Sequence, residues 1–224
     1  MPLRLGAVVR KELAAARLYL CTPDRSDLGE FIEAVCRAGV DIVQLREKGL
    51  PDRDLLRRAE VAREAAQAAG ALFILNDRPD LALACAADGV HVGQDDVPPA
   101  VARRILGPDA VIGLSTHAPA ELGTARREPV DYVSVGPVVP TPTKPGRPGT
   151  GRDYVRTAAL LLGDRLPFFV TGGASPESLP DLLAAGASRF VVVRALTEAA
   201  DPVSVVRRLR EMIDATPPRR PWSR

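Results

Sequence analysis

Residues 71–96 read ALFILNDRPDLALACAADGVHVGQDD, and their pattern sets how the rest of the chain is parsed. The stretch opens on Leu72–Leu75, apolar on consecutive positions, as in a strand covered on both faces. The run stops at Asn76-Asp77, a helix-forming segment covers Pro79–Ala86, and a second short run, Gly89–Val92, stops at Gln94-Asp95-Asp96. Strand, helix and strand in this rhythm are expected of a βαβ unit in a parallel sheet. Both strands also end in polar and acidic residues.

The same unit recurs in both directions. Toward the N-terminus lie the runs Leu18–Cys21 and Asp41–Leu45; toward the C-terminus lie Val111–Leu114, Tyr132–Val135, Phe168–Val170 and Arg189–Val193. Helices are predicted over Gly29–Ala38, Asp52–Ala69, Pro79–Ala86, Pro98–Leu106, Pro119–Arg127, Tyr154–Leu162, Pro176–Ala185 and Pro202–Ala215. Ser175 before Pro176 and Asp201 before Pro202 place a capping side chain ahead of a first-turn proline. Gly39, Gly70, Gly107, Gly163 and Gly186 follow helix ends, where a left-handed residue is wanted. Eight strands and eight helices in 224 residues predict an α/β fold, a single-domain parallel (β/α)8 TIM barrel; an open doubly wound sheet more often uses fewer strands. The barrel is expected over residues 1–215, with Val8–Ala16 an extra helix at its base, and residues 216–224 are expected to be a disordered tail of prolines and cations.

Composition narrows the partners. Aromatic residues are 4% of the chain and the net charge is only +2, so the basic, aromatic-rich surface of a nucleic-acid binder is not expected. No apolar run reaches the roughly 20 residues that span a bilayer, and the start lacks a signal-peptide cleavage pattern, so no membrane partner and a cytoplasmic location are expected. Cys21, Cys36 and Cys85 are odd in number, widely spaced and without a CxxC pair, which predicts buried, reduced thiols. The expected partners are small molecules, with self-association into a homo-oligomer left open.

In parallel barrels the chemistry sits at the carboxyl ends of the strands, where the loops converge on one mouth. Gln44, Arg46 and Lys48 alternate past the second strand, so in extended chain they share a face and can aim donors at one anion. Asp77 and Asp96 follow adjacent strands; each alone could be a cap or surface acid, but together they suit Mg²⁺, which takes one or two carboxylates plus phosphate oxygens. Asp95 is the lower-ranked alternative. The segment Val138–Arg152, rich in proline and glycine, is long for a connector and predicts a mobile lid, whose Thr141, Thr143 and Lys144 offer hydroxyls and a cation, with Arg147 and Arg152 adding charge. Thr171-Gly172-Gly173 lies where barrels often bind phosphate through backbone N–H groups at a helix start. His91 lies between two valines and reads as a hydrogen-bonded core or second-layer residue; His117 is better placed but has no evident carboxylate or nucleophile partner, and neither histidine is placed in the catalytic set. No GxSxG or Cys/His constellation appears, which disfavours acyl transfer and favours group transfer with a diphosphate leaving group.

Taken together, Gln44-Leu45-Arg46-Glu47-Lys48, Asn76-Asp77, Gly89-Val90-His91-Val92-Gly93-Gln94 with Asp96, Pro140-Thr141-Pro142-Thr143-Lys144 and Gly172-Gly173 resemble the thiamine-phosphate synthase family in order and spacing. The resemblance runs from about Leu18 to Asp214. It implies that Gln44, Leu45, Arg46, Glu47, Lys48, Asn76, Ser115 and Lys144 hold 4-amino-2-methyl-5-(diphosphooxymethyl)pyrimidine, with Arg46, Lys48 and Lys144 catalytic and Asp77 and Asp96 binding one Mg²⁺. Thr141, Pro142, Thr143, Gly173, Val193 and Arg194 would hold hydroxyethylthiazole phosphate. It further implies loss of pyrophosphate to a pyrimidine-methyl cation that the thiazole nitrogen captures, giving thiamine monophosphate. Thr171 and Ala174, around the paired glycines, depart from the family pattern, which puts detail at the thiazole site in doubt. A thiazole tautomerase-like relative and a non-catalytic phospholigand sensor are the rival expectations.

Overall fold

The computed structural model describes residues 6–142, 146, 148–163 and 165–216. Its strands are β1 (Leu18–Thr22), β2 (Ile42–Leu45), β3 (Leu72–Asn76), β4 (Gly89–Val92), β5 (Val111–Thr116), β6 (Tyr132–Val135), β7 (Phe168–Val170) and β8 (Phe190–Val192). They pair in parallel in chain order, and β1 closes on β8 with Leu18 opposite Phe190 and Leu20 opposite Val192, so the predicted closed barrel is what forms. The helices are α1 (Gly6–Ala15), α2 (Leu28–Ala38), α3 (Asp52–Ala68), α4 (Pro79–Ala84), α5 (Pro99–Leu106), α6 (Pro119–Ala125), α7 (Gly151–Leu162), α8 (Leu179–Ala184), α9 (Arg194–Thr197) and α10 (Pro202–Asp214).

Strand alternation sorts the apolar residues into two cores. Leu18, Leu20, Val43, Leu45, Phe73 and Leu75 face outward and pack with the helices; α2 meets them with Leu28, Phe31, Ile32, Val35 and Cys36, a stripe of helical period. Tyr19, Ile42, Leu72, Ile74, Val111, Tyr132, Phe169 and Val191 face inward and fill the barrel. Val9 and Leu13 of α1, which runs from Gly6 to Ala15 where Val8–Ala16 is the expected span, join this inner core at the base.

The base is pinned by a repeated device. Asp41, Asp88 and Asp131 each stand one residue before β2, β4 and β6, and each carboxylate accepts an N–H from the preceding odd strand: Leu18, Phe73 and Ile112, all at 2.8 Å. Before β8 the position is Arg189, which instead donates to the carbonyls of Ala16 and Ala14 at 3.1 Å. The three aspartate bonds reinforce neighbouring strands near their starts, beside backbone bonds from the N–H groups of Asp41, Asp88 and Asp131 to the carbonyls of the same three residues, and the Arg189 bonds tie β8 to the end of α1. The expected strands at Asp41 and Arg189 thus begin one residue late, because those side chains serve as clamps.

Three expectations need correction. Pro176 does not open a helix: Ser178 Oγ accepts from the Ser175 N–H at 3.0 Å and donates to the Gly173 carbonyl, holding a turn, and α8 starts at Leu179. The helix after β6 starts at Gly151, since Thr150 and Gly151 donate back to the carbonyls of Pro137 and Val138 and close the intervening excursion at its root. The four-residue α9 was not anticipated. The cap at Asp201 is as predicted, accepting from Ser204 N at 3.0 Å. Residues 217–224, most of the expected tail, lie outside the described residues.

Candidate active site

The carboxyl ends of the strands open into a cavity of about 660 Å³ to which all eight strands or the residues just after them contribute. Because inward positions alternate, β2 sends Gln44 in and Leu45 out, and the chain then returns Arg46 and Lys48 to the mouth. Asn76 and Asp77 arrive after β3, Gln94, Asp95 and Asp96 after β4, Ser115 on β5, Thr141 after β6, Gly173 after β7, and Val193 and Arg194 after β8. The convergence expected from the strand ends is therefore present.

Asp77 and Asp96 meet carboxyl to carboxyl, within hydrogen-bonding contact, and Lys48 Nζ lies 3.0 Å from Asp77 Oδ2. Burial, reinforced by Asp96 and opposed by Lys48, raises the Asp77 carboxyl above the usual carboxylate range. Asp77 is held there by its backbone: its φ is +62°, a left-handed conformation uncommon for a residue with a side chain, and its N–H donates to the His91 carbonyl at 2.8 Å. Asp96 is fixed by accepting the Gly93 N–H at 2.7 Å, a turn tight enough that a Cβ at Gly93 would crowd the same carboxylate. Two facing carboxylates with one lysine between them and solvent fit a hard dication, whose charge would relieve the repulsion. Among the described residues no cluster of three or more His, Cys, Asp or Glu is arranged to hold a metal, so substrate oxygens and water would have to complete the shell.

Several residues expected at the site, from the resemblance or from the charge of the lid segment, are not among those that line the mouth. Leu45 is fully buried against the helices, on the wrong side of the strand. Glu47 turns back to accept the N–H groups of Asp24, Lys48 and Gly49, which shapes the loop that carries Lys48. Pro142 is exposed, and Arg152 pairs with Asp181 on the surface rather than facing the cavity. Thr143, Lys144 and Arg147 lie outside the described residues. The paired glycines have positive φ, +85° and +91°, and Pro137 packs so closely on Gly172 that a Cβ would strike it; the helix expected directly after them begins only at Leu179.

Tyr19, Cys21, His91 and Ser134 also line the cavity and were not assigned to it from sequence. The signal for them was strand alternation: Tyr19 and Cys21 lie on one face of β1, as Tyr132 and Ser134 do on β6, and polar residues at inward positions of a barrel must meet other polar groups. His91 is buried with Nδ1 2.9 Å from Tyr132 Oη and Nε2 2.9 Å from Ser115 Oγ, in keeping with its reading as a hydrogen-bonded core residue. The His117 ring meets the Gly136 carbonyl, and its backbone N–H donates to the Glu121 carboxylate at 2.7 Å.

Comparison with known proteins places this architecture among named relatives. A family model described as thiamine monophosphate synthase matches residues 18–196. A thiamine-phosphate synthase of Thermobifida fusca is 52% identical over 216 residues, covering 94% of this chain and 98% of that protein. The Mycobacterium bovis protein of the same name is 49% identical over 215 residues, covering 91% and 97%. Among solved structures, a thiamine phosphate pyrophosphorylase from Pyrococcus furiosus superposes with a TM-score of 0.82 at 28% identity over 93% of this chain and 98% of that one. A 3-hexulose-6-phosphate synthase from Salmonella typhimurium, at TM-score 0.70 and 16% identity over 90% and 100%, shares the fold alone.

Proposed function

Because the chain belongs to the thiamine monophosphate synthase family and is a transferase, we propose that its mouth joins a pyrimidine pyrophosphate to hydroxyethylthiazole phosphate, forming thiamine monophosphate and releasing pyrophosphate. The observation that carries this reading is the convergence of Arg46, Lys48 and Asn76 on the same cavity as the facing Asp77 and Asp96. Arg46 offers a planar fork of donors and Lys48 a point charge to the diphosphate, and Gln44 and Ser115 on the floor meet the pyrimidine ring. Lys144, from the lid, would add a cation to the leaving group, and Thr141, Thr143, Pro142, Gly173, Val193 and Arg194 the thiazole phosphate subsite. Mg²⁺ bound between Asp77 and Asp96 would supply charge neutralisation at diphosphate oxygens.

In this mechanism the methylene carbon–oxygen bond to the diphosphate breaks, with the electron pair leaving on the diphosphate. The thiazole nitrogen lone pair then forms the new carbon–nitrogen bond, and no general base is needed. Negative charge grows on the leaving group as the bond breaks, so cations fixed in advance by Arg46 and Lys48 stabilise the transition state more than the substrate. A closed lid would keep water from the cation. The buried thiols of Cys36 and Cys85 support a reducing, cytoplasmic setting.

Incubation with both phosphorylated heterocycles, with and without Mg²⁺, and analysis of products tests the reading. Thiamine monophosphate and pyrophosphate in equal amounts, formed only with the metal, are expected; binding of both substrates without release of pyrophosphate would overturn it in favour of a sensor.

A further inference from the structure

A hydrogen-bonded chain crosses the floor of the cavity. Gln44 Nε2 donates to Tyr19 Oη at 2.6 Å, the Tyr19 and Tyr132 hydroxyls are 2.9 Å apart, Tyr132 Oη is 2.9 Å from His91 Nδ1, and His91 Nε2 is 2.9 Å from Ser115 Oγ. The direction of this chain follows from the donor count of each group. An amide nitrogen only donates, so Tyr19, having accepted, has its single proton for Tyr132, and Tyr132 has its single proton for Nδ1. A neutral imidazole that accepts at Nδ1 carries its proton on Nε2 and donates to Ser115; Ser134 Oγ, 3.5 Å from the same nitrogen, also donates to Ser115 Oγ at 3.3 Å, so both contacts make Ser115 an acceptor. At the starting end the Cys21 thiol donates weakly to Gln44 Oε1 at 3.7 Å, in agreement with the amide nitrogen facing Tyr19. Burial, the largest influence on both phenols, pushes them up, which keeps both relay protons in place.

We propose that Tyr19 and Tyr132 lock His91 as the Nε2–H tautomer, so that Ser115 accepts from His91 and turns its own hydroxyl proton toward an acceptor nitrogen of the pyrimidine ring. His91 is then a positioning residue, acting on the substrate through Ser115. The inference rests on Ser115 contacting the pyrimidine, as in the reading above. Run in the opposite sense, the chain would make Ser115 donate to His91 and face a ring nitrogen with lone pairs alone. Tight packing maintains the direction: the His91 and Tyr132 rings stack at 5.4 Å and 29°, and a Cβ at position 113 would strike both the Tyr132 ring and His91 Nδ1, so glycine there is a condition of the relay.

The chain has two histidines, so protein labelled with 15N-histidine reports two imidazoles, and a His117→Gln variant assigns them. His91 is expected to show a pyridine-like Nδ1 and a pyrrole-like Nε2; Tyr132→Phe, which removes the hydroxyl and keeps the ring, is expected to mix the two tautomers. In kinetics, Tyr132→Phe is expected to raise the KM for the pyrimidine pyrophosphate about tenfold, the scale of one lost hydrogen bond, with the KM for the thiazole phosphate unchanged. Tyr19→Phe breaks the same relay and gives the same readouts should Tyr132→Phe fold poorly. A pyrrole-like Nδ1 in the unmodified protein overturns the proposal, as does a tautomer shift that leaves the pyrimidine KM untouched. The spectra are read without substrate, so failure to form thiamine monophosphate would count against the proposed activity and leave the tautomer result standing by itself.

Discussion

The carboxyl groups of Asp77 and Asp96, carried by the ends of neighbouring strands, touch each other at the rim of the barrel mouth, with Lys48 as the one basic side chain bridged to the pair among the described residues. Like charges brought this close in a half-buried site disfavour the folded protein unless a proton, a lysine or a metal ion offsets them. Lys48 is more than half exposed, so its offset is weakened by solvent.

A dication at this pair should therefore stabilise the fold. Thermal unfolding with increasing Mg²⁺ is expected to rise, by about 2.7 kcal/mol when the ion is roughly 100-fold above its Kd. Asp77→Asn should abolish the response and melt at or above the unmodified protein in the absence of metal, because the buried like charge is gone. Asp77→Asn and Asp96→Asn are each expected to slow turnover by about 10²-fold or more, the scale of losing preorganised charge stabilisation. Wild-type rates in both would remove the pair from the site.

Arg46 and Lys144 separate shape from charge. Arg46→Lys keeps the charge and loses the planar fork, so a defect in kcat/KM smaller than that of Arg46→Ala is expected, and unaltered kinetics would argue against direct diphosphate contact. Lys144→Ala is expected to slow turnover by about 10²-fold or more, measured as pyrophosphate release.

At the opposite end, Asp88 tests the clamp at the barrel base. Asp88→Ala leaves the buried Phe73 N–H without the carboxylate it meets at 2.8 Å and also removes the acceptor of the Gln67 amide nitrogen, so a loss of about 1–3 kcal/mol in urea unfolding is expected. Asp88→Asn keeps an acceptor and should lose less. Turnover per folded molecule should not change, because the residue is remote from the mouth.

Alkaline pH should unfold the protein through its buried weak acids. Burial pushes the Cys36 thiol from its ordinary 9.0 up to about 12, and the Tyr154 phenol from 10.0 up to about 12. Both groups are neutral when protonated and both folded values are raised. Their stabilising contribution is complete below pH 9.0 and is lost as pH climbs toward about 12. Urea midpoints measured from pH 8 upward should fall across that window, and Cys36→Ala should flatten the lower part of the decline; a flat profile to pH 11 would contradict the burial of both groups.

Local chemistry written along the chain determined the barrel: consecutive apolar residues at Leu72–Leu75, glycines after helices, and polar residues after each strand act over a few residues and survive being read one element at a time. It also placed Arg46, Lys48, Asn76, Asp77 and Asp96 at one mouth, since in a parallel barrel every strand end points the same way. What only the tertiary structure decided were relations between side chains distant in sequence. The contact of Asp77 with Asp96, the clamp from Asp88 to Phe73, and the run from Gln44 through Tyr19, Tyr132 and His91 to Ser115 all depend on which strands become neighbours and on ångström-scale register. Leu45 and Glu47 are a different case: they entered the substrate set through the resemblance alone, while the alternation that brings Gln44 and Arg46 to one face already turns Leu45 to the other, and Glu47 is redirected by the loop once the strand ends.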